Sequence, residues 1–136
     1  MNQITLDATS ENLDRLTSFI NEKLMSVGCP RKAMMEIDVV IDELFSNIAN
    51  YAYHPDVGPA TVIVEFEEDP ICVMITFLDN GVPFDPLAKE DPDTSLSAHE
   101  RSIGGLGVYI VKQMMDDVTY EYKNGQNILR IKKNVS

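Results

Sequence analysis

The chain has 136 residues, 44% of them hydrophobic and 24% charged, which fits one soluble domain that buries about two-thirds of its unfolded surface. Its formal net charge of −11 argues against nonspecific nucleic-acid or anionic-membrane binding, which needs a basic face. Apolar runs such as 71–78 are too short to span a bilayer.

No secretory signal is recognised at the start. Cys29 and Cys72 have no second cysteine or histidine at metal-ligand spacing, so they read as reduced thiols of a cytoplasmic protein. The acidic balance also sets a condition on any phosphate ligand. A nucleotide would need a divalent cation, backbone N–H donors and a nearby Arg or Lys.

The elements are taken in chain order. Residues 2–7 predict a short strand, and Leu13, Leu16, Phe19, Ile20 and Leu24 recur at helical spacing over about 11–27, where Gly28 ends the helix. Pro30 suits the first turn of a second helix over about 31–53, with a broad apolar stripe through Met34, Ile37, Val40, Ile41, Leu44, Phe45 and Ile48. His54-Pro55 and Gly58-Pro59 mark a loop. Strands at 61–68 and 71–78 form a hairpin about Asp69-Pro70. Residues 80–103 carry no clear period, and a loop of that length in a compact domain reads as a functional lid. A helix over about 106–116 comes next, then strands at 118–124 and 127–133 about Asn124-Gly125, the preferred pair for a tight hairpin. The order predicts an α+β, two-layer sandwich: helices on one face of a mixed, mostly antiparallel sheet.

Three places carry chemistry. Glu43 and Asn47 are four apart in IDELFSNIANYAY, so they share one helix face beside the apolar stripe. The amide oxygen suits Mg²⁺, and the carboxylate can orient a hydroxyl or take its proton. The same spacing also suits a solvated helix edge. In DNGVPFDP, Asp79 ends a strand, and Gly81 and Pro83 shape the turn after it. A buried carboxylate there needs a donor, which the exocyclic amine of adenine supplies, and Gly81 lets backbone approach a flat ring. A plain turn is the competing reading. In ERSIGGLGVYIVKQMMD, Gly104, Gly105 and Gly107 lead into a helix. Backbone N–H groups there can face an anion, and Arg101 can pair with phosphate oxygens. Neither a P-loop nor a Rossmann fingerprint fits, because no Gly-Lys-Ser/Thr and no βαβ unit surrounds the glycines.

In this order, E-x-x-x-N on a helix, D-x-G-x-P after a strand, a lid, and G-G-x-G at a helix start resemble the boxes of the GHKL ATP-binding superfamily. Within it, the chain resembles the anti-sigma factor serine/threonine kinases over about residues 5–133. The resemblance implies a single Bergerat-type ATP-binding domain over 1–136, with a lid at about 86–103. It implies ATP and Mg²⁺ as cofactors. Asn47 binds the metal, and Glu43 is the general base. Asp79 reads the adenine amine and Gly81 backs the ring. Gly104, Gly105, Leu106 and Gly107 form the phosphate-binding stretch, and Arg101 lies near the γ-phosphate or the partner surface. The substrate is then a serine on an anti-anti-sigma (STAS-type) partner. A sigma factor is a further partner, and a homodimer is compatible with the family.

Two departures stand out. Relatives often place histidine four residues past the asparagine, where this chain has Tyr51, and threonine after the glycine of the last hairpin, where it has Gln126 and Asn127. The alternative reading is a non-catalytic, nucleotide-gated module that sequesters a regulatory partner; Glu43 favours the kinase. The ATP-binding piece of a histidine kinase is disfavoured, because neither His54 nor His99 precedes the domain on a dimerisation helix. The acidic residues Glu90, Asp91 and Asp93 are expected to face solvent or a partner.

Overall fold

The computed structural model describes residues 2–85 and 103–136. Its elements in chain order are β1 (Gln3–Asp7), a 3-10 turn (Ser10–Asn12), α1 (Leu13–Ser26), α2 (Arg31–Asn47), a π turn (Ile48–Ala52), β2 (Pro59–Glu67), β3 (Cys72–Asp79), α3 (Ile103–Met114), β4 (Asp117–Lys123) and β5 (Gln126–Asn134). The expected lid, with Arg101, His99 and the acidic residues Glu90, Asp91 and Asp93, lies outside the described residues.

The strands form one sheet in the order β1-β2-β3-β5-β4. Every pairing is antiparallel, so the sheet expected to be mixed has no parallel pair among the described strands. The period of two sorts side chains by face. Ala60, Val62, Val64, Ile75, Phe77 and Ile131 point to one face and are at most 1% exposed. Leu16, Ile20 and Leu24 of α1, and Ile37, Val40, Ile41, Leu44 and Phe45 of α2, close on that face to make the core. Each such side chain contributes about 1.5–3 kcal/mol of transfer free energy. The two-layer α+β sandwich therefore stands, with the helical stripes read from the sequence as its inner surface.

Local signals explain most of the ends. Gly28, at φ +72°, ends α1 in the left-handed conformation. Cys29 N donates to Leu24 O and Gly28 N to Met25 O, which satisfies carbonyls that the helix leaves orphaned. Asn124 and Gly125 both have positive φ, as a primed hairpin turn requires. Lys133 Nζ donates to Met114 O at 2.7 Å, so β5 caps the last turn of α3.

Two ends differ from the expectation. The helix expected to run to 53 gives way after Asn47 to a wider π turn. The carbonyl of Ala52 accepts from Val82 N at 3.0 Å, so the loop after β3 takes a group that a longer helix would have used. Such turns recur at functional positions. At the other end, α3 begins at Ile103, not near 106. Gly104, Gly105 and Gly107 lie inside its first turns; they do not precede them.

Candidate functional site

A narrow cavity opens where α2 and the π turn cross the end of β3 and β5. Its walls include Leu44, Asn47, Ile48, Phe77, Asp79 and Asn127, with Phe84 and Tyr120 at the rim. It encloses about 40 Å³, room for a few waters and too little for a purine. The Phe84 ring stacks on Tyr51, with centroids 5.5 Å apart and planes 21° from parallel.

Asp79 is 6% exposed. Gly81 N donates to its Oδ1 at 2.9 Å, and Asn127 Nδ2 donates to the same oxygen at 2.8 Å. The other oxygen, Oδ2, has no hydrogen-bond partner among the described residues. Burial pushes the Asp79 carboxyl above its ordinary range, and the two donors oppose that rise. The carboxylate thus has one oxygen committed to the scaffold and one that is not.

The loop after Asp79 is fixed from beneath. A Cβ on Gly81 would overlap the Ala52 carbonyl, so only glycine lets the loop lie against the π turn. Tyr53 Oη accepts from Asn80 N at 2.8 Å and donates to Pro59 O at 2.6 Å. Its ring covers the backbone of Gly58. Residues 79–85 are therefore not a hairpin turn: they are a strand end tied to the π turn and Tyr53.

Asn47 lines the same cavity. Its Nδ2 is buried and makes no hydrogen bond. The amide oxygen of Asn47 is a hard ligand of the kind that suits a Mg²⁺ taking its other ligands from phosphates and water. The described residues contain no cluster of three or more His, Cys, Asp or Glu that could cage a metal alone.

Glu43 lies four residues earlier on α2, about 6 Å along its axis, half-buried and outside the cavity wall. Burial raises its pKa first, the Asn47 side chain opposes the rise, and the charge of Asp42 adds to it. Asn47 therefore sits near enough to influence the carboxylate without making a hydrogen bond of ordinary geometry.

The structure thus brings Asn47 and Asp79 to one cavity, with Gly81 outside its wall but bonded to Asp79 and Glu43 one helical turn away. Gly104, Gly105, Leu106 and Gly107 open α3, which packs on α2. Asn127, Tyr120 and Tyr53 are site residues that sequence reasoning misses. The sequence marks Asn127 only as a departure from threonine, and its place here is set by the pairing of β5 with β3.

The histidine kinase-like ATPase domain family matches residues 6–133. The chain belongs to that family. It is also similar to proteins named serine-protein kinase RsbW. The one from Bacillus mycoides (strain KBAB4) is 31% identical over 103 residues, which is 73% of this chain and 63% of the relative. The one from Bacillus cereus (strain AH187) is 32% identical over 101 residues, 71% of this chain and 62% of the relative. The chain thus spans less than two-thirds of the length of these curated relatives. Among the described residues, no helix is long and apolar enough to cross a membrane.

Proposed function

We propose that this chain is an ATP-binding protein serine kinase of the anti-sigma type, acting as one domain in the cytoplasm on a serine of an anti-anti-sigma (STAS-type) partner. The observation that carries the reading is the cavity itself: a free acceptor on Asp79, an unused amide atom on Asn47, and Glu43 one turn beyond.

In this reading Asp79 Oδ2 accepts from the 6-amino group of adenine, and Gly81 lets the loop backbone lie near the ring. Asn47 is the protein ligand of Mg²⁺, which when bound neutralises charge on the triphosphate. The first turns of α3, with Gly104, Gly105, Leu106 and Gly107, offer N–H groups to the phosphates. The partner's serine oxygen attacks the γ-phosphorus while Glu43 takes the hydroxyl proton. The bond to the β–γ bridging oxygen breaks, and ADP leaves. Arg101 near the γ-phosphate and a lid over 86–103 rest on the family resemblance alone, as do a homodimer and a bound sigma factor.

A nucleotide-gated module without catalysis would use Asp79 and Asn47 but has no use for a base. The half-buried Glu43, with its pKa raised, favours the kinase. The test is incubation with Mg²⁺ and γ-labelled ATP in a lysate of the source cells, beside Glu43→Gln and Asn47→Ala. The wild type labels a small protein. Glu43→Gln binds ATP and labels it about 10²–10⁴-fold more slowly. Asn47→Ala loses the Mg²⁺ dependence of ATP binding. ATP binding without any labelled protein would instead support the gated module.

A further inference from the structure

We propose that Asn127 is a specificity-determining positioning residue: it locks Asp79 so that one acceptor oxygen faces the base, which admits a 6-amino purine and rejects a 6-oxo purine. The proposal rests on the nucleotide reading above.

Asn127 is 5% exposed and pairs with Asp79 across the β3–β5 ladder. Its carboxamide has two N–H donors and two main acceptor directions. Nδ2 donates to Asp79 Oδ1 and to Val82 O, each at 2.8 Å. Oδ1 accepts from Phe84 N at 3.1 Å and from the hydroxyl of Tyr120. All four capacities are used inside the protein. The orientation is also settled, because swapping the oxygen and nitrogen would set a carbonyl against a carboxylate and an N–H against an N–H.

The cavity is affected in two ways. Asn127 has nothing left to give a base, so discrimination falls to Asp79. Asp79 in turn cannot rotate, because Oδ1 is held by Asn127 on one side and by Gly81 N on the other. The donors also favour the ionised carboxylate against the cost of burial. An ionised carboxylate only accepts, which suits an amine. A protonated one donates, which suits the 6-oxo group of inosine or guanine. Asn127 therefore sets the base preference without touching the base.

The experiment measures ADP and IDP binding by calorimetry with Mg²⁺, from mildly acidic to neutral pH. The two nucleotides differ at C6, amino against oxo. Wild type prefers ADP. Asn127→Ala lowers the ADP-to-IDP affinity ratio about tenfold, the scale of one hydrogen bond to a charged group. The loss grows as pH falls, because Asp79 then takes up its proton more readily. A merely structural role weakens both nucleotides together and leaves the ratio and its pH dependence unmoved. Should Asn127→Ala fail to fold, Tyr120→Phe removes one bond of the network and lowers the ratio about twofold. An unchanged ratio in the folded variant overturns the proposal. So does a wild type that binds ADP and IDP alike, which leaves the nucleotide reading in place. A wild type that binds neither overturns both.

Discussion

Two polar clusters border the same cavity and are finished to different degrees. Around Asp79, every donor of Asn127 and both of its acceptor directions are engaged, and only Oδ2 is left over. Around Asn47, a buried amide atom has no partner at all among the described residues, and Glu43 nearby carries a pKa raised chiefly by burial. A buried polar atom without a partner costs free energy. The Asp79 cluster is thus closed by the protein's own residues, while the Asn47 end is not. In the nucleotide reading proposed above, the base is selected by a preorganised cluster and the phosphate end is completed by what binds.

Three substitutions sharpen that contrast. The largest effect is expected for Asp79→Asn. Its oxygen still accepts from Gly81 N and Asn127 Nδ2, but an N–H₂ now faces the cavity. ADP affinity falls about 10–100-fold, as for loss of a hydrogen bond to a charged group, and the preference turns toward IDP. The same change stabilises the free protein at neutral pH. Burial holds the folded-state pKa of Asp79 above its unfolded value, so the folded chain keeps that proton to higher pH. Ionisation therefore costs stability above the folded pKa, and acid relieves it. The gain in Tm is present at neutral pH and shrinks on acidification. A melting series with pH, run beside nucleotide titration, checks both halves.

Gly81→Ala comes next. The new Cβ meets the Ala52 carbonyl, which is backbone and cannot swing aside. The expected cost is about 1–3 kcal/mol, as for other overpacked sites, with weaker ADP binding because the loop that flanks Asp79 lifts. Denaturant unfolding measures the first and calorimetry the second. A variant as stable as wild type would show that the loop is not held as tightly as Tyr53 and Ala52 hold it here.

The smallest effect tests the unfinished end. The charge of Asp42 adds to the rise in the Glu43 pKa. Asp42→Asn therefore moves the acid limb of the pH–rate profile slightly to lower pH, since one solvent-screened charge is removed. Base selection stays unchanged. A shift in the ADP-to-IDP ratio instead would mean that the two clusters are coupled.

Much of the fold and site is legible in the sequence, for reasons that can be named. The stripes through Leu16, Ile20 and Leu24 and through Ile37, Ile41, Leu44 and Phe45 form the inner faces of α1 and α2. Gly28 and Asn124-Gly125 do what left-handed positions do. The α+β sandwich is implied by element order. The features that sequence reasoning misses are set by contacts between distant segments. IANYAY reads as more helix, yet Gly81 and Val82 press on Ala52 and the turn widens. Glycines argue for a later start to α3 than the one found. Asn127 carries no local signal, because its role exists only once β5 pairs with β3 in register. That Asn47 and Asp79 share a cavity is legible because each sits at the end of one local element, a helix and a strand.

The strand order has a consequence for how the protein is made. β5 lies between β3 and β4 in the sheet but comes last in the chain. Asp79 and Asn127 are 48 positions apart. A ribosome-bound chain that has exposed only β1 to β3 and the two long helices lacks Asn127, the side-chain donor to Asp79, and has an open sheet edge at β3. Such long-range pairings form slowly. The cavity is therefore completed only when the β4–β5 hairpin pairs with β3.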